Sequence, residues 1–99
     1  MMTIKEVVSK LETSKHPVAQ ALYKTEQIKV IVIGFKKGMI LKDHQTNLPA
    51  KLTLLKGKVI YNQLGVETKM DEYDEVIIPI NTIHNVLALE DSLCILIQG

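Results

Sequence analysis

From Val18 to the end of the sequence, apolar residues come in short runs rich in Val, Ile, Leu, Thr and Tyr, each closed by glycine, proline, asparagine or aspartate. Such runs fit pleated strands, whose side chains alternate between two faces, and not a helix, whose apolar positions recur every three or four residues. They predict strands near residues 19–23, 27–35, 39–41, 52–56, 58–63, 66–70, 75–78, 84–89 and 92–97. Strand starts about 8–12 residues apart are the signature of an antiparallel sandwich or barrel. Gly57 and Leu64-Gly65 fall between runs and read as hairpin turns, where glycine accepts positive φ without steric cost. The expected class is all-β.

The residues before Val18 obey the other period. Ile4, Val7, Val8 and Leu11 recur on one helical face, and Thr3 followed by Glu6 has the form of a capping box. A helix is expected over about 3–14, closing before His16-Pro17, with Met2 placed to staple against Val7. Its lysines and glutamates read as a solvated face. At 99 residues and 46% apolar, the chain makes one domain, 1–99, with its own core. The barrel is expected over about 18–98.

All twelve basic residues are lysines, set against eleven acids, and no arginine occurs. Arginine supplies the bidentate fork that grips phosphates and guanine edges, and lysines matched by acids build no strong field. Aromatic content of 4% without tryptophan also offers no base-stacking surface. No nucleic-acid partner is expected. No run approaches the roughly 18 apolar residues of a membrane span, and the N-terminal stretch lacks the apolar run of a signal peptide. The single cysteine, Cys94, can form no intrachain disulfide and sits among apolar strand residues as an inert thiol. A cytoplasmic protein without membrane contact is expected. The acidic cluster Asp71, Glu72, Asp74 and Glu75 lacks the loop pattern of a calcium site and reads as a solvated turn.

Two stretches carry a family resemblance. "GMILKDHQTNLPAKLTLLKG" resembles the first cupin motif: glycine, five residues, His-x-His, a glutamate, six residues, glycine. Gly38, His44 and Gly57 match, while the second histidine falls on Thr46 and the glutamate on Ala50. "YDEVIIPINTIHNVLA" resembles the second motif. Pro79 and His84 match, Asn81 and Tyr73 stand for its glycines, and Ala88 stands for its final asparagine. Asn81 suits its position because asparagine also visits the left-handed region. The resemblance implies a small double-stranded β-helix, the cupin or jelly-roll barrel, with a short N-terminal helix. In cupins three histidines and the glutamate converge on a divalent metal, and here only His44 and His84 survive.

A catalytic zinc or iron site usually has three protein ligands, so two imidazoles alone make a weak one. No cofactor is expected. If any metal binds, His44 and His84 are the ligands. Alternation puts Thr46, Leu52, Leu54 and Val86 on the face of His44 and His84, with Tyr61 beside them, and turns Asp43 and Gln45 away. These residues form the expected pocket: His44, Thr46, Leu52, Leu54, Tyr61, His84 and Val86. The same Leu and Val residues would equally fill a barrel core. The position of His16 before a proline leaves its orientation open.

Three functional classes follow. The preferred one is a stand-alone cupin that binds an unidentified small molecule without a standard metal site. The others are a metal-dependent cupin enzyme, of dioxygenase or isomerase type, with a rearranged site, and a non-catalytic assembly module. Strands such as "IKVIVIGF" and "SLCILIQG" are apolar at both parities, and small cupins are commonly dimers, so a homodimer is expected, with Ile31 and Ile33 on the outer face it covers.

Overall fold

The computed structural model describes residues 2–99. Nine strands follow one helix: α1 (Thr3–Leu11), β1 (Val18–Lys24), β2 (Lys29–Phe35), β3 (Ile40–His44), β4 (Ala50–Lys56), β5 (Val59–Gln63), β6 (Val66–Met70), β7 (Glu75–Ile78), β8 (His84–Ala88) and β9 (Ser92–Gln98). They form an antiparallel five-stranded sheet, β1-β2-β9-β4-β7, and an antiparallel four-stranded sheet, β3-β8-β5-β6. The core lies between them, built from Ile33, Phe35, Leu52, Leu54 and Cys94 of the first sheet and Val59, Tyr61, Met70, Val86 and Ala88 of the second.

One of the two expected hairpin turns forms. Leu64 and Gly65, with φ of 51° and 82°, join β5 to β6 with Gln63 paired to Val66, the doubly left-handed turn that matches strand twist. Gly57, expected in a hairpin, instead carries the chain from one sheet to the other, because β4 and β5 do not pair; with φ of 96° it sits where a Cβ would run into the Ser92 hydroxyl and the Asp91 carbonyl.

Helix α1 lies on the outer face of the five-stranded sheet, with Val7 and Leu11 over Gly34. A Cβ on Gly34 would meet Val7 Cγ1 at 2.8 Å and Leu11 Cδ2 at 3.3 Å, so the missing side chain sets how closely the helix docks. The capping box does not form. Met2 occupies the cap position, Thr3 is buried inside the first turn, and the Glu6 carboxylate accepts from Gln20 Nε2 of β1 at 3.0 Å. Docking on the sheet outweighs the local cap. The expected Met2–Val7 staple is likewise not seen as burial, since Met2 stays 65% exposed. The α-helix ends at Leu11, earlier than expected, and a looser turn carries the chain on through Thr13 N to Lys10 O and Ser14 N to Leu11 O.

Two further expectations are corrected. Strand β3 runs on to His44, because Lys42 and Asp43 are exposed and their polarity hides the strand. Ile31 and Ile33 face inward: Ile33 is 3% exposed in the core, and Ile31 packs against it. The outer face belongs to the other parity, Val30, Val32 and Gly34, paired with Ile97, Ile95 and Leu93 of β9. Among the described residues no helix is long and apolar enough to cross a membrane.

Candidate functional site at the barrel mouth

Strands β3, β8 and β5 are neighbours, and their register sets two rows of side chains side by side. Leu41, Val86 and Tyr61 pair in sequence across the sheet, and all three belong to or pack against the core. The adjoining row is His44, His84 and Gln63. An apolar floor thus gives way to a polar row in one step along each strand.

His44 reaches this row only through a β-bulge. Between the pairs Leu41–Val86 and His44–His84, β3 spends three residues where β8 spends two. Strict alternation from the inward Leu41 would turn His44 outward, and the extra residue re-aims it. The same irregularity overturns the expected alternation beyond His44. Strand β3 ends there, and the Thr46 hydroxyl is engaged in a turn, donating to Leu48 O at 2.8 Å and accepting from Leu48 N at 3.3 Å. Asp43, Gln45 and Ile83 line an open depression of about 260 Å³ with His44. The Asp43 carboxylate accepts from Asn85 Nδ2 at 2.8 Å.

The two imidazoles are held in the same way. His44 Nδ1 donates to Lys42 O at 2.8 Å, and His84 Nδ1 donates to Thr82 O at 2.9 Å. A carbonyl can only accept, so in each neutral ring the hydrogen sits on Nδ1 and Nε2 carries a lone pair. The open depression beside the pair is lined by His44, while His84 is 4% exposed behind it. The ring centroids are 4.1 Å apart, and the Tyr61 ring centroid lies 5.8 Å from that of His84.

Burial lowers the His84 pKa from the ordinary histidine value. The Thr82 hydrogen bond opposes this, the nearby His44 lowers it further, and Asp43 raises it. Tyr61, 3% exposed, is pushed up by burial while its hydroxyl donates to Gln63 Oε1 at 2.9 Å. Gln63 is the site residue that motif reading missed. Its signal was present, because it lies two residues beyond Tyr61 and so on the same strand face. Leu52 and Leu54 are packed core on the opposite sheet, 2% and 0% exposed, and Val86 is core beneath His84. The Cys94 thiol is buried and pushed up to about 12.

No protein-family model matches the sequence, and no curated protein matches it. Solved structures do. A conserved protein with a double-stranded β-helix domain from Klebsiella pneumoniae superposes with a TM-score of 0.84 at 17% identity, over 100% of this chain and 88% of that one. An RmlC-like cupin protein from Desulfovibrio desulfuricans gives 0.81 at 22% identity, over 86% and 83%. A cupin superfamily protein from Desulfitobacterium hafniense gives 0.80 at 13% identity, over 86% and 78%. The chain has the cupin fold.

The cupin motifs persist in backbone where they have gone in side chain. Tyr73 and Asn81, which stand for motif glycines, keep φ of 74° and 54°. Ala50, at the glutamate position, faces the core at 8% exposure and offers no donor. The residues present do not fit the cupin metal. Two imidazoles remain, Thr46 is tied to its own turn, and no three His, Cys, Asp or Glu side chains group together among the described residues.

Proposed function

We propose that the protein is a stand-alone cupin-fold binder of a small polar molecule, held at the barrel mouth by His44 and His84 without a standard metal site. The observation that carries this reading is the pair of Nδ1 hydrogen bonds to main-chain carbonyls, which presents two imidazole acceptors side by side. Adjacent acceptors call for a ligand with neighbouring donors, such as the hydroxyls of a small polyol or an amino alcohol. Gln63, paired across from His84, supplies an amide that can donate in return. The apolar floor of Tyr61 and Val86 sets the depth a ligand can reach.

The same tautomer lock favours a second reading. Metal-bound histidines commonly donate their other nitrogen to a carbonyl, so the pair would also serve a weakly held metal completed by substrate or water, as an enzyme with a rearranged site would require. For the uncovered outer face of the five-stranded sheet we propose a second copy of this chain. The lone buried cysteine supports a cytoplasmic setting.

A thermal-shift screen of polyols, amino alcohols and sugars against untagged protein, with elemental analysis of the same batch, separates the readings. Ligand at 100 times its dissociation constant stabilises the fold by about 2.7 kcal/mol. A hit abolished by His44→Ala and by His84→Ala, in protein holding well under one equivalent of metal, is the expected result. Stoichiometric metal lost in those variants would replace it with the second reading.

A further inference from the structure

A second open depression, of about 470 Å³, lies between the segment joining α1 to β1 and the loop by which the chain crosses from β2 to β3. Lys15, Lys36, Lys37 and Lys42 line it together with His16, and no carboxylate does. In a chain with nearly equal numbers of lysines and acids, a third of the lysines thus meet in one place. The nearest compensation is Asp91, whose Oδ2 lies 3.7 Å from Lys36 Nζ and whose Oδ1 accepts from Lys37 N at 2.9 Å. Lys15, Lys37 and Lys42 have no ion-pair partner among the described residues. Like charges gathered in a concave site repel one another and cost stability, and a bound anion relieves the repulsion.

The walls are fixed before any ligand arrives. Gly38 N donates to Ala88 O at 2.8 Å, Ala88 N to Met39 O at 3.0 Å, and Met39 N to Lys36 O at 3.0 Å, so the β2–β3 loop is tied to the end of β8. On the opposite wall the Ser14 hydroxyl donates to His16 O at 2.7 Å and accepts from His16 N at 3.1 Å. Pro17, Met39 and Ile40 supply apolar surface between the lysines. The depression is wider than a bare phosphate and open on one side, which leaves room for a body attached to the anion.

We infer that this cavity binds a small molecule carrying a phosphate or diphosphate group, the lysines taking the anion and Pro17, Met39 and Ile40 the body attached to it. Lysines act here as point charges, which suits a compact multivalent anion and needs no bidentate fork. The site shares no lining side chain with the histidine pair, and its nearest link to it is the Lys42 carbonyl that holds His44 Nδ1.

The test is a titration with pyrophosphate, followed by calorimetry and by amide shifts in a nitrogen-15 spectrum. Saturable binding is expected, with shifts confined to residues 15–16 and 36–42, weakening with salt and falling at least about tenfold in Lys37→Gln/Lys42→Gln. The control Lys51→Gln/Lys69→Gln, and His44→Ala at the mouth, should leave affinity within about twofold. Non-saturable binding, or an equal loss in the lysine control, would overturn the site. Saturable binding to an oligonucleotide with none to pyrophosphate would overturn it in favour of a polymer backbone.

Discussion

His44 and His84 pair directly across β3 and β8 with ring centroids 4.1 Å apart and planes inclined at 58°. Two imidazoles this close cannot both carry charge cheaply, and the buried member is the one held neutral. His84 is therefore held as an acceptor, and acid should act against it.

The folded-state pKa of His84 is lowered, mainly by burial, whereas an unfolded chain shows the ordinary value near 6.5. Below that value the unfolded state takes up a proton that the folded state refuses, so stability is complete above about pH 6.5 and falls as pH drops toward the folded value. Thermal midpoints should decline from about pH 7 to about pH 5.5, and the decline should be shallower in His84→Asn. Coincident slopes for wild type and variant would remove His84 as the cause.

How much of this was legible in the sequence depends on how far apart the relevant residues lie. Period-two runs and turn residues are local, so every strand was found, and six of the expected strands differ by one or two residues at their ends. The bulge before His44 is not local, since it is defined by what β8 does opposite. Parity counted along β3 alone therefore could not place His44 and did not reach Thr46, which lies beyond the end of the strand. Ile31 and Ile33 were misplaced because both faces of β2 are apolar, one under the core and one under α1. The lysine cavity joins segments some twenty residues apart, and overall charge balance concealed it.

Gly57 combines a positive φ with a crowded Cβ position, whereas Gly65 has a positive φ and nothing within 4 Å. The pair separates conformational strain from collision. Gly65→Ala should cost about 1 kcal/mol, and Gly57→Ala roughly 2–4 kcal/mol because the Ser92–Asp91 backbone must also yield. Urea midpoints measure both, and equal losses would show that the contact with Asp91 and Ser92 relaxes freely.

Tyr73 occupies a left-handed turn position that a bulky side chain rarely adopts. It is 75% exposed, so little packing repays the strain. Its backbone N–H donates to Leu54 O at 2.7 Å, a bond any residue would keep. Tyr73→Gly should therefore stabilise the fold by about 0.5–1 kcal/mol, the relief of strain exceeding the entropy that glycine adds to the unfolded chain. Chemical denaturation reads the change, and a loss of stability would mean that Tyr73 packs in solution.

The last prediction concerns association. Tyr23, Val30, Ile97, Lys51 and Ile77 pair successively across the outer face of the five-stranded sheet. Helix α1 covers the neighbouring end of that face over Val32 and Gly34 but leaves this row open, with Tyr23, Ile97 and Ile77 exposed at 62%, 43% and 67%. An apolar row interrupted only by Lys51, itself paired to Glu75 at 2.8 Å, can meet its own copy rotated by two-fold symmetry. Light scattering at micromolar concentration should give a mass near twice the 11.1 kDa chain. Ile97→Glu with Ile77→Lys should return it to the monomer with its circular dichroism unchanged. Ile33→Glu should instead unfold the protein, because Ile33 is 3% exposed inside the barrel. A wild-type mass that stays at the single-chain value as concentration rises would reject the dimer.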